Sequence, residues 1–132
     1  MTTAVKICGI TDPDALAAAL DAGADYVGLV FFPKSPRHLE LASARALRDR
    51  VPRGGATQVV ALVVDPTDEA LGEILRTVDP DVIQLHGHES IARVAEVRAR
   101  FGKPLLKAVP VANAADVAAG LAYLEPGRLA DI

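Results

Sequence analysis

Short apolar runs alternate with helix-like segments along the whole chain, and this alternation limits the possible folds more than any other feature. The apolar runs, rich in Val, Ile and Leu, lie at 4–8, 26–32, 58–64, 82–86, 105–109 and 129–132. Helix-like segments separate them at 14–21, 42–50, 68–78, 90–101 and 114–124. Asp12-Pro13 and Asp65-Pro66 each place a carboxylate ahead of a proline, the arrangement of a cap followed by the first helical position. Asn113 is placed to cap the last helix, and Gly23 to stop the first. The runs recur with the spacing of one strand–helix unit.

Continuous apolar strands between helices imply an α/β fold whose parallel sheet is covered by helices. Two architectures satisfy that. An open doubly wound sheet is complete at five strands, whereas a (β/α)8 TIM barrel needs eight units and at least ~200 residues. The 132-residue chain offers five full units and a sixth run that stops at Ile132. A finished domain rarely ends inside an apolar strand. The expectation is a single domain over 1–132, the N-terminal part of a (β/α)8 barrel truncated after about five units and the start of strand 6.

Bulk properties exclude several function classes. With 51% hydrophobic and 23% charged residues the chain can bury a core, so disorder is not expected. The net charge of -3 provides no basic field for a nucleic-acid backbone. No apolar stretch reaches the length of a membrane span. One cysteine cannot form an internal disulfide, which suits a reducing cytoplasm. These readings predict a cytoplasmic protein without nucleic-acid or membrane partners.

In either architecture, chemistry collects where strands end and loops begin. Cys8 ends the first run, Asp65 follows the third, His86 ends the fourth, and 34–38 follows the second. Side chains alternate along a strand, so Lys6 and Cys8 share a face, and an ammonium beside a thiol favours the thiolate. Such a group could act as nucleophile or general base; it could equally be a small buried hydrophobe, the common fate of a free cysteine. In the loop Phe31–His38, prolines stiffen the chain around Lys34 and Arg37, and a guanidinium matches a carboxylate or phosphate bidentately. Gln84 and His86 also share a face. His86 and His88 have no third ligand on another strand end, so a substrate-facing His86 with His88 in solvent is expected, and no metal site.

A phosphoacceptor receiver domain, a small open-sheet signalling or binding module, is the rival reading. Asp65 and Lys107 sit roughly where such a domain wants its aspartate and lysine. It also needs paired carboxylates after strand 1 to hold Mg²⁺ through oxygen atoms. This chain has Cys-Gly-Ile-Thr there.

Three stretches, VKICGIT (5–11), DYVGLVFFPKSPRHL (25–39) and VIQLHGHE (82–89), resemble phosphoribosylanthranilate isomerase of tryptophan biosynthesis in order and spacing. The resemblance covers about the first two-thirds of a family member. It implies an Amadori rearrangement of N-(5-phosphoribosyl)anthranilate to 1-(2-carboxyphenylamino)-1-deoxyribulose 5-phosphate. No metal or organic cofactor is implied, only a small phosphoribosyl substrate and a monomer or homodimer when complete. Cys8 matches the general base, Arg37 the residue that holds the anthranilate carboxylate, and His86 an active-site position at the strand 4 rim. The family's general acid, an aspartate ending strand 6, would follow Ile132; Asp131 comes too early. The phosphate site is expected after strands 7 and 8. The 132 residues alone are therefore expected to be inactive, to expose sheet edges, and to leave Lys6, Gln84 and Lys107 without the partners that the missing strands would supply.

Overall fold

A computed structural model of the chain describes residues 2–124. It contains five strand–helix units: β1 (Lys6–Cys8), α1 (Pro13–Asp21), β2 (Tyr26–Phe31), α2 (Leu41–Arg48), β3 (Gln58–Val63), α3 (Asp68–Val78), β4 (Val82–Leu85), α4 (Ile91–Phe101), β5 (Leu105–Lys107) and α5 (Ala114–Leu121). The expected sixth run and Asp131 lie outside the described residues.

Strand order decides between the two architectures. The strands are parallel and lie in chain order, β1-β2-β3-β4-β5, each paired with the next. A doubly wound sheet, the receiver included, reverses its order at a switch point and carries helices on both faces. Here the apolar faces of α1 to α4 (Leu16 and Ala19, Ala44 and Leu47, Leu71 and Ile74, Val94 and Val97) join one core with a single sheet face. That face is formed by Val27, Leu29, Phe31, Val59, Ala61, Val63, Ile83, Leu85 and Leu105. One-sided winding in chain order is the pattern of a TIM-barrel-like fold, and it does not match the open-sheet alternative. The described strands do not close: β1 and β5 each have one strand neighbour among the described residues.

Local signals explain most boundaries. Asp12 caps α1, its side chain accepting from the Ala15 amide, with Pro13 at the first helical position. Asn113 caps α5 in a reciprocal box with Asp116. Gly23 follows α1 at φ +75, a conformation glycine adopts at little cost. Asp65 departs from expectation. Thr67 caps α3, accepting from the Ala70 amide, while Asp65 sits two residues earlier at φ +44. Its carboxylate turns away from α3 and accepts instead from the His88 amide at 2.8 Å. The tertiary contact with the following loop outcompetes the local cap. Strand β5 ends at Lys107 rather than 109, level with Leu85, the last residue of its partner β4. Helices α2 and α5 end at Arg48 and Leu121, short of 50 and 124.

The N-terminal end of the sheet is locked by Arg48, whose side chain is only 1% exposed. Its guanidinium donates to the carbonyls of Asp79 and Val51 and to Asp81 Oδ1. Asp81 Oδ2 in turn accepts from the Val59 amide at the start of β3. A buried guanidinium is tolerated when its donors are matched in this way. With that end fixed, the opposite strand ends are left to carry chemistry.

Candidate active site

The sheet face turned away from the helices carries Lys6, Cys8, Gly28, Val30, Val60, Leu62 and Gln84, because alternate residues of each strand point the same way. At the C-terminal ends of the strands it opens into a cleft of about 510 Å³. Lys6, Cys8, Phe32, Ser35, Arg37, Gln84 and His86 line that cleft, over a floor that includes Val30 and Leu62.

Cys8 ends β1 opposite Gly28 of β2. A Cβ at Gly28 would lie 3.0 Å from Cys8 Sγ and 3.2 Å from Lys6 Nζ. The thiol and the ammonium therefore flank one spot, and glycine is what makes room for both. The backbone beyond Cys8 turns sharply: Gly9 adopts φ +82, and the amides of Gly9 and Ile10 both donate to the Gly28 carbonyl. Gly9 also leaves space for Arg37. A Cβ there would meet Arg37 Cδ and Nη1 at 2.5 Å. Arg37 lies across Gly9 and donates from Nη1 to the Cys8 carbonyl at 3.3 Å, while its own amide donates to Ser35 Oγ. That anchor uses one of five guanidinium donors and leaves the rest at an exposed position beside the cleft. Lys34, the other cation of this loop, is exposed and does not line the cleft.

His86 is exposed on the cleft rim, its Nδ1 3.2 Å from Gln84 Nε2. Gln84 Oε1 is buried without a hydrogen-bond partner among the described residues. The His88 ring is fully exposed and stands 3.6 Å from Asp65 Oδ2. The two histidines thus diverge. Among the described residues no group of three His, Cys, Asp or Glu side chains could hold a metal ion, and no carboxylate lines the Cys8 cleft.

Lys107 has its partners within the described residues. Lys107 Nζ donates to Glu89 Oε1 and to the Gly87 carbonyl, each at 2.8 Å. Glu89 was missed as a functional residue. It is buried in the loop after β4, accepts from the amides of Asp65 and Gly87, and offers its own carbonyl to the Tyr123 hydroxyl. The sequence signal was an acid two residues after the His86-Gly87 turn, in a loop that must pack over the next strand. Gln84 keeps one partner in His86.

Burial opposes ionisation of Glu89, but the Lys107 ammonium and the Asp65 amide outweigh it and hold its carboxyl below the ordinary 4.5. A depressed native value means that the unfolded chain binds the proton more readily. The stabilisation is therefore complete above the ordinary value and is lost as pH falls through it towards the native one. Thermal unfolding followed from pH 7 to pH 3 should show a loss of Tm that begins near pH 4.5. Glu89→Gln should start lower and show a shallower decline. An equal decline in both proteins would remove Glu89 from the acid response.

Comparison with known proteins bears on what this cleft is. The family model for N-(5'-phosphoribosyl)anthranilate isomerase matches residues 5–125. The chain belongs to that family. Among curated relatives, the isomerase of Paracoccus denitrificans is 54% identical over 132 residues, covering 100% of this chain and 59% of its own length. That of Bradyrhizobium sp. (strain ORS 278) is 51% identical over 125 residues, covering 95% and 56%. The crystal structure of phosphoribosylanthranilate isomerase from Thermotoga maritima superposes with a TM-score of 0.85 at 33% identity, covering 92% of this chain and 58% of that one. An isomerase solved in complex with reduced 1-(o-carboxyphenylamino)-1-deoxyribulose 5-phosphate gives the same TM-score at 33% identity, covering 92% and 61%. The chain thus spans little more than half the length of the curated relatives it matches.

Proposed function

We propose that this segment supplies the base and the aromatic-end clamp of an enzyme that isomerises N-(5-phosphoribosyl)anthranilate to 1-(2-carboxyphenylamino)-1-deoxyribulose 5-phosphate in cytoplasmic tryptophan biosynthesis. The supporting observation is the grouping of Cys8, Lys6 and Arg37 around Gly9 and Gly28 in one cleft. In this reaction a general acid protonates the ribose ring oxygen, and the ring opens to a Schiff base. A base then takes the proton from C2, and the enolamine tautomerises to the ketone. Cys8, on a short rigid strand end and flanked by an ammonium, is the base. Arg37 offers its free N–H groups to the anthranilate carboxylate, and His86 faces the substrate from the rim. The acid and the phosphate cradle are assigned to the part of the relatives' length that lies past Ile132. The chemistry consists of proton transfers and one C–O cleavage, driven by the anilino nitrogen lone pair, and requires no metal or organic cofactor.

Arg37→Ala tests the clamp. In a chain carrying this segment at the relatives' full length, losing a charge-assisted hydrogen bond of about 1.5–3 kcal/mol should weaken substrate binding roughly 10- to 100-fold. An analogue lacking the ring carboxylate should bind wild type and variant about equally. Equal losses for both ligands would make Arg37 a support for the loop and not a ligand for the carboxylate.

A further inference from the structure

We propose that the buried Glu89–Lys107 pair is a positioning device for His86, one that governs turnover and leaves substrate affinity nearly unchanged. The proposal rests on the reading of the Cys8 cleft as the isomerase site. His86 stands on a ridge. The Cys8 cleft lies on one side, and a second cleft of about 500 Å³, lined by His86, Lys107 and Tyr123, lies on the other. Packing therefore does little to hold the ring. Among the described residues its one hydrogen-bond contact is Gln84 Nε2. What remains to set its place is the backbone beneath it, and that backbone is gripped from both sides.

The His86 amide donates to the Val63 carbonyl at 2.9 Å, which continues the ladder from β3. The next residue, Gly87, is held at both of its polar atoms. Its amide donates to Glu89 Oε1 at 2.9 Å, and its carbonyl accepts from Lys107 Nζ at 2.8 Å. Glu89 and Lys107 then bond each other, with side chains 1% and 8% exposed. The second carboxylate oxygen takes the Asp65 amide at 2.8 Å, tying the loop after β3 into the same clasp. Asp65 closes over Gly87 so tightly that a Cβ there would lie 2.6 Å from Asp65 Cγ. Three strand ends, β3, β4 and β5, are thereby joined around Gly87. Neither Glu89 nor Lys107 lines the Cys8 cleft, so the pair acts through His86 and not on substrate.

The isosteric Glu89→Gln, made at the relatives' full length, removes the charge and keeps the shape. It should lower kcat about 10- to 100-fold, as displacement of an active-site group does. KM should stay within about threefold, because Arg37, which holds the anthranilate carboxylate, lies outside the clasp and keeps its place. The ¹³Cε1–¹H NMR signal of His86 should move in the resting protein. Arg48→Lys is the comparison: it loosens the opposite end of the sheet, so it should lower Tm and leave kcat and the His86 signal unchanged. If Glu89→Gln does not fold, the double variant Glu89→Gln/Lys107→Met removes both charges together, and the same readouts apply. A lowered Tm with retained kcat, or an unmoved His86 signal, would overturn the proposal. Absence of isomerisation by the wild-type chain would sink the functional reading instead, and the His86 signal alone would then decide the clasp.

Discussion

Cys8→Ser, in a chain carrying this segment at the relatives' full length, is expected to lower kcat by about 10²–10⁴-fold, the contribution typical of a positioned general base. Serine keeps the size and the strand geometry, so the contacts to Gly28 and the turn at Gly9 survive. What changes is basicity at neutral pH. A thiol ionises within reach of pH 7 and a hydroxyl does not, so serine cannot hold the proton-accepting form that C2 deprotonation needs. Substrate affinity should change little, because the proposed carboxylate contact is made by Arg37. The measurement is kcat and KM for the isomerisation, with binding of an unreactive product analogue as a control. A variant that keeps its rate would remove Cys8 from the proton transfer. A variant with intact kcat and raised KM would turn Cys8 into a packing residue of the cleft wall.

Residues 1–132 assayed alone are expected to isomerise at least about 10²-fold more slowly than a chain extended to the relatives' length, since a missing general acid costs that much. The reason lies in the cleft itself. Among the described residues it is lined by a thiol, two cations, an imidazole and amide and hydroxyl groups, with no carboxylate to protonate the ring oxygen. The isolated segment should also self-associate. Val5 is 49% and Ile7 41% exposed on β1 and the residue before it, and on α5 and its approach Val111, Val117 and Leu121 are at least half exposed. Unpaired edges and apolar surface of this kind favour pairing with another chain. Mass in solution and the isomerase rate, measured on the same preparation, check both statements. A stable monomer with the extended chain's rate would refute the assignment of the acid to later sequence.

The parts of the molecule legible in the sequence are those set by local chemistry. Continuous apolar runs between helix-like segments marked all five described strands and helices, because such runs depend on neighbours a few residues away. Asp12-Pro13, Asn113 and Gly23 were readable as helix boundaries for the same reason. The position of Cys8 and His86 at strand ends, and of Arg37 in the loop after β2, followed from counting along each run. Asp65 shows where this logic fails. Its local pattern is that of a helix cap, and the amide it takes belongs to His88, 23 residues later.

The sequence by itself determined the succession of strand and helix, the face on which Lys6 and Cys8 stand together, and the family to which the three motifs point. Tertiary structure alone decided the in-order, one-sided winding that separates a barrel from an open sheet, since strand neighbours are chosen by long-range packing. It also decided that Gly9 and Gly28 make room for Arg37, Cys8 and Lys6 in one cleft. Finally, it paired Lys107 with Glu89, two charges 18 residues apart that meet only after β4 and β5 align. A buried charge requires a partner, but the identity of that partner is fixed by register, and register is a property of the assembled sheet.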